Sequence, residues 1–144
     1  MSKKILNEEV TFEDVGVQNR PIISKTNLKG IITFVNTPFC KLSGYSKEEV
    51  LGKPHNIIRH PDMPKKVFKE LWDTIEKNQK WRGFVKNLRK DGKYYWIEVH
   101  IEPIFDDNGI KIGYIATRKP VSDEDKKKYE KIYAKMKQKE ELWL

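Results

Sequence analysis

The sequence is poor in cysteine, in histidine and in long hydrophobic runs. Cys40 is the single cysteine among 144 residues, which excludes a disulfide framework and a site built from several thiolates. The three histidines, His55, His60 and His100, are too few and too scattered for a zinc site. No apolar run approaches the roughly 20 residues of a membrane-spanning helix, and the first ten residues lack the pattern of a signal peptide. We therefore expect a cytoplasmic chain without a membrane span.

The composition that remains fits one globular domain with a basic surface. Hydrophobic residues make up 38% of the chain and the formal net charge is +8, which raises the question of a nucleic-acid partner. Basic side chains outnumber acidic ones by 9 to 6 in residues 1–60, by 13 to 9 in residues 61–121 and by 7 to 6 in residues 122–144. Because no segment holds the charge, we expect no nucleic-acid partner. The densest basic stretch, Lys86–Lys93, contains Asp91 and fits a hairpin tip better than a nucleic-acid face.

The first half of the chain predicts a hairpin followed by short helices. Two β-rich runs, 21–25 and 31–35, flank a turn that contains glycine. Ser46 and Glu49 have the spacing of a capping box at the start of a short helix. A longer helix is predicted to open at Pro64, because apolar residues then recur at helical spacing; these residues are Val67, Phe68, Leu71, Trp72 and Ile75.

The second half predicts three antiparallel strands. Residues 81–89 and 94–104 flank an Asp-Gly turn, and Asp-Asn-Gly at 107–109 leads into residues 110–119. The whole order predicts an α+β fold with a five-stranded antiparallel sheet, one face of which the short helices cover.

The predicted boundaries are an N-terminal cap or linker over 1–20, a central domain over 21–121 and a C-terminal amphipathic helix over 122–144. Ser122 and Asp125 can cap this last helix, and an apolar stripe follows it; the stripe consists of Tyr129, Ile132, Tyr133, Met136 and Trp143. The pattern leaves two interpretations equally open. The helix either packs back onto its own domain or docks on a partner.

Two consecutive stretches carry a resemblance to a known family. Residues 34–53 read FVNTPFCKLSGYSKEEVLGK, and this run resembles the pattern of PAS sensory domains. Residues 54–64 read PHNIIRHPDMP, and with the aromatic residues behind them they resemble the FAD-binding PAS domain of bacterial aerotaxis receptors. The resemblance covers roughly residues 20–121. It implies a PAS fold and a flavin-binding redox sensor rather than an enzyme.

The resemblance also implies which residues lie near the cofactor. In that family the Arg-His-Pro-Asp run is needed to hold FAD. Carried over position by position, the implied cofactor-binding residues are Arg59, His60, Asp62, Asn36, His55, Phe68, Trp72, Trp81, Asn87 and Tyr95.

The residues themselves make this chemistry plausible. Arg59 can pair with the dianionic pyrophosphate of FAD, and Trp81 or Phe68 could stack on a ring. Period two along 81–89 puts Asn87 on the same face as Trp81. A buried amide needs hydrogen-bond partners, which the flavin rim would supply. The alternative is that Asn87 meets solvent at the end of the strand.

Two other hypotheses, haem binding and a LOV-type flavin adduct, fit the sequence less well than FAD. One histidine could ligate haem, but His60 stands inside the match to the flavin family. A light-sensing LOV domain would need a cysteine adduct with its flavin. Aligned on Gly52, this sequence has His55 at that position, and Cys40 fits a small core residue.

The implied function is signal transduction in aerotaxis or energy taxis. A change of FAD redox state would reorient the side chains at the ring rim, Asn87 first, and the shift would pass to the N-terminal segment or the last helix. The implied partner is a membrane-bound methyl-accepting chemotaxis transducer or its signalling domain, in a separate chain or in further sequence. A transducer partner would bring the protein to the membrane, and PAS domains often form homodimers. The alternative is a haem- or small-ligand-binding PAS sensor in a histidine kinase or diguanylate cyclase pathway.

Overall fold

The computed structural model describes residues 4–142. Five strands form one antiparallel sheet in the order β2-β1-β5-β4-β3, so β2 and β3 are its edges. The strands are β1 (Ile22–Thr26), β2 (Ile32–Val35), β3 (Trp81–Leu88), β4 (Tyr94–Phe105) and β5 (Lys111–Lys119). The predicted α+β fold with a five-stranded antiparallel sheet is confirmed.

Four α-helices accompany the sheet in the described part of the chain. They are α1 (Thr37–Ser43), α2 (Lys47–Val50), α3 (Lys65–Glu76) and α4 (Asp123–Leu142), with short 3-10 turns at Glu13–Val15 and His55–Ile58. Among these helices none is both long enough and apolar enough to cross a membrane.

Local hydrogen bonds define where the short helices start. The Ser46 side chain accepts from the N–H of Glu49, and the Glu49 side chain accepts in return from the N–H of Ser46, which is the predicted capping box. Asn36 caps α1 by accepting from the N–H of Phe39 at 3.1 Å. The same Oδ1 atom accepts from the N–H of Ile23 at 3.1 Å, which ties α1 to β1.

The two faces of the sheet have different cover. One face borders a cavity between the sheet and α3, and we call it the cavity face. It carries side chains such as those of Val85 and Asn87 of β3. The other face, which we call the outer face, carries the side chains that alternate with these along each strand, such as Phe84 and Lys86 of β3 and Trp96 of β4. Because both faces are covered here, residues 85–88 of β3 and 95–97 of β4 are buried without alternation.

Helix α4 packs back onto the outer face, over β3 and β4. The hydroxyl of Tyr133 donates to the carbonyl of Phe84, and its ring stacks on Trp96 with 6.3 Å between centroids. Tyr129 and Met136 also pack against the core. Ile132 of the predicted stripe is 37% exposed instead, and Trp143 lies outside the described residues. Of the two interpretations left open by the sequence, the structure has the helix on its own domain.

Candidate functional site

The main cavity lies between the cavity face of the sheet and α3. Its volume is about 350 Å³, inside the range of roughly 300–1,000 Å³ that is usual for ligand pockets. Apolar side chains make its walls: Leu71, Ile75, Val85, Ile97 and Val99. All five are buried, so the deep part of the cavity suits a ligand with apolar faces.

Two positively charged side chains lie at the mouth of this cavity. Lys29 and Arg59 both line it, and both are exposed. The guanidinium carbon of Arg59 lies 3.8 Å from the ring centroid of Phe68, and partial burial lowers the pKa of Arg59 from its usual value. The mouth can therefore offer positive charge to an anionic group while the rest of a ligand extends inward.

A buried arginine, Arg118, lines the inner part of the cavity. Arg118 is 2% exposed, and its Nη2 donates to Ser24 Oγ at 2.9 Å and to His55 Nε2 at 2.8 Å. Its Nε and Nη1 atoms have no hydrogen-bond partner among residues 4–142. Because buried donors are nearly always paired, this side chain calls for an acceptor inside the cavity.

The protonation states follow from the same burial. Desolvation, followed by the nearby charges of Arg118 and Arg59, lowers the pKa of His55 to about 3. Desolvation lowers the pKa of Arg118 to about 10. At neutral pH Arg118 is therefore charged, and His55 is neutral with Nε2 as an acceptor.

Asn87 lies on the cavity face, as period two along its strand predicts. It is 4% exposed, and its amide reaches the hydroxyl of Tyr95 at 3.5 Å, a long contact. Tyr95 lies opposite Asn87 on the neighbouring strand β4 and is 1% exposed, and burial raises the pKa of its hydroxyl to about 12. The backbone of Asn87 forms a bridge with that of Arg59, so these two cavity residues are joined.

The ten residues implied by the resemblance fall into three groups. Five line the cavity: His55, Arg59, Phe68, Trp72 and Asn87. Tyr95 is in contact with one of these through its hydroxyl. The remaining four contact other parts of the structure; they are Asn36, His60, Asp62 and Trp81.

Each of those four has a definite place. Asn36 is the cap of α1 described above. The indole N–H of Trp81 donates to Glu70 of α3 at 3.4 Å. His60 is 3% exposed, and its Nδ1 accepts from the N–H of Asp62 at 3.0 Å. The Asp62 carboxylate is 64% exposed and lies 3.1 Å from the Nζ atom of Lys86.

The sequence reasoning missed Arg118 and Ser24. A signal for Arg118 was available, because it shares period two with Tyr114 and Ala116, two buried residues of β5. An arginine at the next position of a buried face would have marked it as a candidate for ligand binding.

The remaining chemistry of the cavity is limited. Within the described part of the chain no group of three or more His, Cys, Asp or Glu side chains could hold a metal ion. Cys40 is not among the lining residues, and burial raises the pKa of its thiol.

Comparison with known proteins gives consistent matches. The family described as PAS fold matches residues 32–118. The aerotaxis receptor of Escherichia coli strain K12 is 39% identical over 122 residues, in an alignment that covers 81% of this chain and 24% of the receptor. The chain thus spans about a quarter of that relative's length.

Solved structures agree with the architecture. The PAS domain of a protein from Colwellia psychrerythraea has a TM-score of 0.64 at 29% identity, over 76% of this chain and 94% of that one. A light-oxygen-voltage domain studied with a flavin analogue has a TM-score of 0.68 at 22% identity, over 89% of this chain and 95% of that one. At such low identity the second likeness concerns the fold alone.

Proposed function

The chain belongs to the PAS fold family, and from that premise we propose that it is a redox sensor that holds FAD in the cavity beside α3. The observation that carries this proposal is the polarity of the cavity. Its deep end has apolar walls with Arg118, His55 and Asn87 among them, and its mouth has Lys29 and Arg59. FAD has the matching order of parts: a flat ring with a polar rim, and a dianionic pyrophosphate.

Each polar residue then has a part in holding the cofactor. Arg118 would donate from Nε and Nη1, which have no other partner among residues 4–142, to acceptors on the ring rim. Asn87 would exchange its long contact with Tyr95 for a bond to the ring. Arg59 would pair with phosphate oxygens at the mouth.

FAD would supply electron exchange coupled to proton uptake. The protein's part is to respond to the changed charge and hydrogen bonding at the ring. Asn87 can both donate and accept, so it can change orientation when the ring rim changes. Because its strand is the edge strand β3, next to the segment that contains Arg59, such a change would reach the outer face and α4.

The similarity to an aerotaxis receptor supports the wider proposal. We propose a cytoplasmic sensor, not an enzyme, that relays its redox state to a methyl-accepting chemotaxis transducer. In this proposal residues 21–121 are the sensory domain and residues 122–144 the signalling or docking helix. A transducer partner would place the sensor near the membrane.

The cavity supports neither of the alternative hypotheses, haem binding and a LOV-type cysteine adduct. Of the three histidines only His55 lines the cavity, and its Nε2 already accepts from Arg118, which leaves haem without a free ligand. Cys40 is not a lining residue, so a cysteine adduct of the LOV type has no thiol at the cavity.

The proposal is tested by titrating the apoprotein with riboflavin, FMN and FAD. We expect a yellow complex that absorbs at about 450 nm and bleaches with dithionite. FAD should bind most tightly, and Arg59→Ala should remove its advantage over riboflavin. Arg20→Ala is the matched control, because Arg20 is exposed and does not line the cavity. Failure of all three flavins to bind would overturn the proposal.

A further inference from the structure

Lys86 is a buried lysine on the outer face, under α4. It is 4% exposed, and its Nζ atom lies 3.1 Å from Asp62 Oδ2 and 3.2 Å from Glu130 Oε1. The same atom lies 4.2 Å from the ring centroid of Tyr94. A lysine is almost never buried so deeply without partners, and two carboxylates with an aromatic face offset its lost hydration. We call Lys86, Asp62 and Glu130 the lysine junction.

The two carboxylates of the lysine junction belong to different parts of the chain, and both reach Lys86. Glu130 belongs to α4 on the outer face. Asp62 belongs to segment 59–63, whose Arg59 lines the cavity on the other face. Since β3 is an edge strand, this segment can follow its free edge and reach both faces. The junction therefore joins a cavity residue's own segment to α4.

The backbone fastens segment 59–63 to β3 at two further points. Arg59 forms a bridge with Asn87, and the N–H of Lys86 donates to the Sδ atom of Met63 at 3.4 Å. Asp62 is three residues from Arg59, and both neighbours of Lys86 in β3 line the cavity, so the contacts form a continuous route between Asp62 and the cavity.

Helix α4 has a second contact with the same region. The Glu140 carboxylate accepts from the N–H groups of Lys65 and Lys66, at 3.2 and 3.0 Å. These groups open α3, which has no side-chain cap from Pro64 and so leaves donors to be satisfied. α3 contributes Phe68 and other residues to the cavity wall. Docking of α4 and the shape of the cavity therefore share two connections.

We propose that Lys86 is a positioning residue that couples cofactor binding in the cavity to docking of α4 on the outer face. It acts through Asp62, which holds segment 59–63 and thereby Arg59. The identity of the cofactor as FAD rests on the proposed function. Coupling is reciprocal: docked α4 strengthens binding, and bound cofactor strengthens docking by the same factor. Asp62 then serves the cofactor by position, without touching it.

Four variants of the full chain separate coupling from stability. Lys86→Met and Glu130→Gln each break the lysine junction, and Lys86→Arg keeps its charge. Lys86→Met should fold, because it buries a methionine and leaves only the exposed carboxylates of Asp62 and Glu130 in water. Lys69→Met is the matched control, since Lys69 pairs with Asp73 on the surface of α3.

The first readout is FAD affinity together with chymotrypsin cleavage of α4, with and without FAD. We expect Lys86→Met and Glu130→Gln to raise the Kd for FAD about tenfold, a usual size for coupling between sites, while Lys86→Arg and Lys69→Met keep it. FAD should slow cleavage in the wild type and in Lys86→Arg but not in the two broken variants. Unchanged affinity and protection in Lys86→Met would overturn the proposal.

The second readout needs no cofactor. In the apoprotein, the amides of Arg59 and Met63 are hydrogen-bonded, to the carbonyls of Asn56 and His60, so segment 59–63 has protection to lose in hydrogen exchange. We expect the peptide that contains it to exchange several times faster in Glu130→Gln, although Glu130 lies on α4. Unchanged exchange would refute the coupling. Faster exchange in a protein that binds no flavin would refute the proposed function and leave the coupling standing.

Discussion

At the scale of single residues, we expect Arg118 to favour ligand binding and to lower the stability of the apoprotein. Its guanidinium is buried with two unpaired nitrogens among the described residues, and unsatisfied buried donors cost about 1–3 kcal/mol each. Its two partners, Ser24 and His55, can pair with each other, since Ser24 Oγ lies 3.3 Å from His55 Nε2. We therefore expect the apoprotein to be less stable than a variant with an apolar side chain at this position.

Arg118→Met should raise the free energy of unfolding of the apoprotein by about 1 kcal/mol or more, and it should weaken FAD binding at least about tenfold, which is about 1.4 kcal/mol. Urea unfolding and flavin titration measure the two effects. Arg20→Met, at an exposed position, should change neither. A destabilised Arg118→Met apoprotein would show that the guanidinium is satisfied without a ligand.

His55 makes stability depend on pH. Its pKa in the folded chain is about 3, against an ordinary 6.5, with desolvation as the main cause and Arg118 and Arg59 next. The unfolded chain therefore binds more protons between these values. The contribution to stability is fully present above pH 6.5, and it is lost as the pH falls toward 3.

His55→Gln tests this contribution. An amide oxygen can still accept from Arg118, but it does not titrate. Between pH 7 and pH 5 we expect the wild type to lose up to about 2 kcal/mol more unfolding free energy than the variant. Urea unfolding of both proteins at both pH values measures this difference. The contributions of other titrating groups, such as His60, are common to the two proteins and cancel in the comparison. Equal losses would mean that His55 accepts a proton in the folded protein.

At the scale of elements, short-range signals predicted the fold well. The turn around Gly92 needs a positive φ, and the structure has +92° there; the capping box at Ser46 is present. These features depend on neighbours in the chain, so a sequence shows them. The position of β3 at the sheet edge and the docking of α4 depend on packing between distant residues, which no local pattern encodes. The buried Lys86 is of this second kind, since its sequence context predicted a solvated hairpin tip.

The α3 cap is an element-scale contact that can be removed by itself. Glu140 accepts from the first N–H groups of α3, where a negative charge also suits the helix dipole. Glu140→Gln should lower the free energy of unfolding by about 0.5–1 kcal/mol and speed hydrogen exchange in the first turn of α3. Glu141→Gln is the matched control, an exposed glutamate on the same helix. Equal exchange in both variants would contradict the cap.

At the scale of the whole molecule, the sheet separates two layers. The cavity layer contains α3, of which Val67, Leu71 and Ile75 are buried, whereas α4 has one buried residue, Tyr133. The rest of α4 is largely polar. Because local stability follows buried apolar contact, we expect α4 to open at a lower free energy than the cavity layer, which is what a helix that reports on the cavity requires.

Tyr133→Ala tests this division. The substitution removes the ring that stacks on Trp96 and the hydroxyl that donates to Phe84, a loss of about 3 kcal/mol by analogy with other aromatic truncations. We expect faster hydrogen exchange throughout α4, while the amides of β4 and β5 still open only at a clearly higher free energy than those of α4. Ile132→Ala is the control, because Ile132 is the neighbouring apolar residue and is 37% exposed. If the amides of α4 and those of β4 and β5 exchanged at the same free energy in Tyr133→Ala, the molecule would unfold as one unit, and α4 could not leave the sheet independently of the cavity layer.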